Sequence, residues 1–79
     1  MSIRPVIELE DELTEDRYAV ADRIPLWLED HPGLHSRSVI ARGVKAAYDD
    51  VAAALAWLDR YNMVAADGNR SWRRYGARR

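Results

Sequence analysis

The sequence predicts an α+β domain in which three helices are followed by a two-stranded β-hairpin. Three observations carry that prediction. Apolar residues recur at helical spacing in three separate stretches. Pro32-Gly33 and the small residues around Gly43 interrupt those stretches. Asp67-Gly68 then falls between two short runs, the strongest hairpin signal in the chain.

Residues 1–13 read as an acidic N-terminal arm. Ile7 and Leu9 alternate with Glu8 and Glu10, which suits one short edge strand, before Asp11 and Glu12 break the pattern. The folded domain is placed at 14–75 and a loose basic tail at 76–79. Thr14 is the expected N-cap of the first helix, with Glu15 and Asp16 in the turn where the helix dipole favours negative charge. Val20, Ala21, Ile24, Trp27, Leu28 and His31 fall on one side of its wheel. Pro25 removes the hydrogen bond to the Ala21 carbonyl, yet the stripe stays in phase across it. One kinked helix is therefore expected, ending at Pro32-Gly33.

Ser36 is the expected cap of the second helix, whose buried side is Val39, Ile40 and Val44. The chain should turn between Gly43 and Ala46. A third helix from Ala47 to Tyr61 then places Val51, Ala54, Leu55, Leu58 and Tyr61 on one face. Asn62 suits the left-handed position that closes it. The hairpin is expected to pair residues 63–66 with residues 70–75, with Trp72 packed on the helices as core rather than stacking on a base.

Composition removes whole classes of function. Without cysteine there is no disulfide framework and no thiolate metal site or nucleophile. Apolar runs are far too short to span a membrane, and the first residues lack the apolar stretch of a secretory signal. A cytoplasmic protein is expected. His31 and His35 are separated by Pro32-Gly33, which prevents the helix that would align them as metal ligands. The acids between Glu8 and Asp16 lack the glycine and alternating oxygens of a calcium loop. Four scattered glycines form no phosphate-binding loop. Neither an enzyme nor a cofactor is expected.

The formal net charge of −1 conceals a polarity. Residues 1–36 sum to −6 and residues 37–79 to +5, which points to an anionic partner at the C-terminal end.

The register of several positions resembles the winged helix-turn-helix DNA-binding family, in the form of small prokaryotic or phage regulators. Ser36 stands four residues before the pair Ile40-Ala41. Val51 follows Ile40 by eleven residues, Leu55 by fifteen and Leu58 by eighteen. Asn62-Met63-Val64 matches that family's exit into the wing, and Trp27 to Gly33 its first-helix exit. The similarity covers roughly residues 16–75. Lys45 stands where the family usually has glycine, Gly43 comes two positions early, and Ala46-Ala47 replaces the usual cap, so an earlier end to the second helix is expected.

What the resemblance implies is binding to double-stranded DNA through the third helix and the wing, as a homodimer, in transcription regulation. The residues placed on DNA are Arg42, Lys45, Tyr48 and Arg60 around the helices, and Arg70, Arg73 and Arg74 on the wing. The third helix itself is poorly equipped for reading bases. Its outward face is Asp49, Ala52, Ala53, Ala56 and Arg60, and alanine offers only methyl contact to thymine. Trp57 beside Ala52, Ala53 and Ala56 lies either under the N-terminal arm or in a flat patch for self-association. The alternative function is a winged-helix protein-interaction module without DNA binding, its partner docking on the acidic N-terminal half or the Ala/Trp57 face.

Overall fold

The computed structural model describes residues 15–69 and 71–78. The acidic arm at 1–13, the Thr14 cap, Arg70 and Arg79 lie outside these residues. The elements are α1 (Glu15–Asp30), β1 (His35–Ser36), α2 (Arg37–Val44), α3 (Tyr48–Arg60), β2 (Val64–Asp67) and β3 (Arg74–Ala77). This is an α+β arrangement.

α1 runs as a single helix through Pro25. Its stripe survives the missing backbone bond because Val20, Ala21, Ile24 and Leu28 are all buried. Trp27 is only partly buried, and His31, expected on the same stripe, is exposed. Ser36 caps α2 as anticipated, its hydroxyl accepting from the Val39 amide at 3.3 Å. Ile40, Ala41 and Val44 face inward, but Val39 is 37% exposed. Its neighbour Ile40 lies at the centre of the buried stripe, and one residue is about 100° of helix, so Val39 turns to the flank.

Gly43 lies within α2, and the helix does not end early. Its end is a left-handed closure at Lys45 (φ 57). The Ala46 amide donates to the Ala41 carbonyl at 3.0 Å and the Lys45 amide to Arg42 at 3.3 Å. Those are the two bonds of a Schellman closure. α3 ends in the same way at Asn62 (φ 58), with Met63 donating to Leu58 and Asn62 to Asp59. Lysine in this conformation is strained by its Cβ. Lys45→Gly should therefore raise stability by about 1 kcal/mol, an increase in Tm of about 4–8 °C by thermal melt. Lys45→Val should lower it.

α3 begins at Tyr48, one residue later than expected, and buries Val51, Ala54, Leu55 and Leu58 against α1 and α2. Tyr61 does not join them; it is 53% exposed. The helix has closed by then, and Val64 fills that part of the core as the chain enters β2.

The sheet has three antiparallel strands in the order β1-β3-β2. β3 pairs with β2 from Val64↔Ala77 to Asp67↔Arg74, and with β1 at His35↔Tyr75 and Ser36↔Arg74. Its position differs from the expected one. Ser71, Trp72 and Arg73 fall between the strands, whereas Gly76 and Ala77, read as tail, belong to β3. Asn69 accounts for the shift: its side-chain oxygen accepts from the Ser71 amide at 3.0 Å and the Trp72 amide at 3.4 Å, curling the chain before it can pair. Trp72 is consequently not core; it is 61% exposed, and Tyr75 is the buried aromatic of the hairpin.

Candidate nucleic-acid interface

The junction of α2 and α3 gathers three of the residues placed on DNA. Arg42 and Lys45 are exposed, and with Ser38, Ala46, Ala47 and Tyr48 they line an open cleft. The closure at Lys45 puts that cation at the outside of the turn. Tyr48, the first residue of α3, is fixed in place by a residue that sequence reasoning missed. Arg37 donates from Nε to the Tyr48 hydroxyl and from Nη1 to the Tyr75 hydroxyl, each at 3.2 Å. One guanidinium thus joins the start of α3 to the central strand. The Tyr48 hydrogen bond is the main cause of a raised Arg37 pKa, with burial opposing it. A local conflict was the available signal: Arg37 begins a helix, where the dipole disfavours a cation unless something else holds it.

The outward face of α3 is mixed. Asp49, Ala56 and Arg60 are exposed, while Ala52 and Ala53 are half-buried. Asp50 is drawn toward α1 and accepts from Arg17 Nε at 3.2 Å, leaving Asp49 as the acid presented at this end. Arg60 stands twelve residues after Tyr48, about 18 Å along the helix, so the two do not share a patch. Trp57 is half-buried among its own chain's aromatics, edge-on to Tyr18 at 5.6 Å and tilted against Tyr61 at 5.2 Å.

Within the hairpin, Arg73 and Arg74 have diverged in role. Arg73 donates from Nε to Asp59 Oδ2 at 3.0 Å and from Nη1 to the Gly68 carbonyl at 2.8 Å, with Nη2 3.5 Å from Asp59 Oδ1. This guanidinium straps the hairpin to the last turn of α3, and Asp59 raises its pKa. Arg74 is exposed and pairs across the ladder with Asp67, and Arg78 beyond it is also exposed.

His31 and His35 are engaged around Trp27. The His31 ring stacks on the indole with centroids 4.0 Å apart, and His35 meets it edge-on at 5.1 Å. Among the described residues no group of three or more His, Cys, Asp or Glu could hold a metal ion. No helix among them is long and apolar enough to cross a membrane. No family model, curated protein or solved structure matches the chain.

Proposed function

We propose that this chain is a winged helix-turn-helix protein that binds duplex DNA, a small cytoplasmic transcription regulator of prokaryotic or phage type. The observation that carries the reading is the α2–α3 junction. Arg42, Lys45 and Tyr48 line one open cleft there, and Arg37 couples it to the hairpin strand. In this reading α3 approaches the major groove by its N-terminal end, and Arg74 and Arg78 follow the phosphates from the hairpin. Arg42 and Lys45 hold the backbone, Tyr48 is positioned to touch bases, and the alanines contribute little base reading. Binding as a homodimer is part of the proposal, with exposed Ala56 at the meeting surface.

Fluorescence anisotropy on random duplex at two salt concentrations tests it. Affinity should fall steeply with salt, and Arg42→Ala or Arg74→Ala should each flatten the log-log slope by roughly 0.9. Asp49→Asn should strengthen binding by removing an acid from the approaching end of α3. Arg73→Ala should act mainly through the lost Asp59 strap, lowering Tm more than it changes the slope.

The second reading is a protein-interaction module. The exposed Tyr18 and Tyr61 around Trp57 favour it, since they enlarge the aromatic surface of the α1–α3 shoulder. It expects no duplex binding even in low salt, which would overturn the DNA reading.

A further inference from the structure

We propose that Trp72 is a base-stacking residue, offering its ring to an unpaired nucleobase beside the DNA-binding hairpin; this rests on the DNA reading above. Trp27 and Trp57 are both partly buried against the core, whereas Trp72 is 61% exposed. A large apolar ring left in water forgoes most of the stabilisation that burial would give. The turn around it needs only its backbone amide, which donates to the Asn69 side chain and to the Asn69 carbonyl. Any residue except proline could supply that amide. The indole is thus surplus to the hairpin's own architecture.

One edge of the ring nonetheless has a neighbour. Gly68 has φ +95, and a Cβ there would approach Trp72 Cζ3 and Cε3 to 2.7 and 2.8 Å. The benzo edge of the ring therefore rests on a backbone that only glycine leaves open. Arg73 holds the same Gly68 from its carbonyl side. Two arginines follow Trp72 directly in the chain, Arg73, paired with Asp59, and the exposed Arg74. A flat π surface in a basic setting suits a nucleobase with its phosphates. Bases inside a duplex already stack on one another, and opening a step for an aromatic costs their unstacking. An unpaired base has its face free.

The probes are a blunt duplex and the same duplex with an unpaired tail, either of thymidines or of abasic sites at equal length. The abasic tail supplies the phosphates without the bases. Wild type should bind the thymidine tail about five- to 100-fold more tightly than the abasic one. Trp72→Ala should abolish that preference and bind blunt duplex like wild type. Trp72→Phe should keep part of it and lose the quenching of tryptophan emission that the thymidine tail causes in wild type. Equal wild-type affinity for both tails, or an unchanged preference in Trp72→Ala, overturns the stacking assignment and leaves duplex binding standing. Failure of wild type to bind any probe in low salt overturns both. Circular dichroism of each variant separates a lost contact from a lost fold.

Discussion

Leu58→Ala should cost about 2–5 kcal/mol of stability, the loss found when a large buried aliphatic side chain is truncated. Leu58 is 2% exposed and packs in the cluster that unites α1, α2, α3 and the hairpin residues Val64 and Tyr75. A chain of 79 residues has on the order of 4–12 kcal/mol in total. The substitution should therefore remove a large share of the folded state's margin. Few neighbours can collapse into the space, because Leu55, Val51 and Ile24 are themselves fully enclosed in the same cluster. Urea titration followed by circular dichroism should show the midpoint falling with little change in slope. A loss under 1 kcal/mol would mean that α3 does not pack as described.

The core was legible because long amphipathic helices repeat their signal. Val51, Ala54, Leu55 and Leu58 recur every three or four residues, and no other period fits them. Ser36 was legible for a local reason, a side chain that satisfies an amide three residues on. The interface was less so. β1 has two residues, too few to carry any alternation, and it exists because β3 lies alongside. Arg73 and Arg74 are neighbours with the same side chain, and nothing local says that one will reach Asp59, fourteen residues away. Arg37 finds its partners eleven and thirty-eight residues on. Trp72 was misread because aromatic character suggested burial, whereas the Asn69 turn takes it out of the ladder. Lys45 shows the converse: hydrogen bonding at the helix end imposed a glycine-like conformation on a residue that resists it.

Gly43→Ala should destabilise the protein by about 1–3 kcal/mol, although intrinsic propensity alone predicts the opposite. Within a helix, alanine is favoured over glycine by about 1 kcal/mol. At this position a Cβ would meet Trp27 Cε2, Cζ2 and Nε1 at 2.3 to 2.4 Å, well inside van der Waals contact. The indole cannot withdraw freely, because His31 stacks on it and His35 abuts it. The ring or the helix must shift by more than 1 Å to restore ordinary contact, roughly 3.5–4.0 Å between carbons. Steric strain therefore outweighs propensity. Trp27→Leu removes the obstructing ring and provides the control: in that background Gly43→Ala should become neutral or stabilising. This reversal of sign is the signature of direct contact in a double-mutant cycle. If Gly43→Ala instead raises Tm in the wild-type background, the close seating of α1 on α2 is wrong. The consequence reaches the interface, since Gly43 stands between Arg42 and the Lys45 closure. If the proposed DNA binding holds, displacing this segment should weaken it even though neither Trp27 nor Gly43 lies in the cleft.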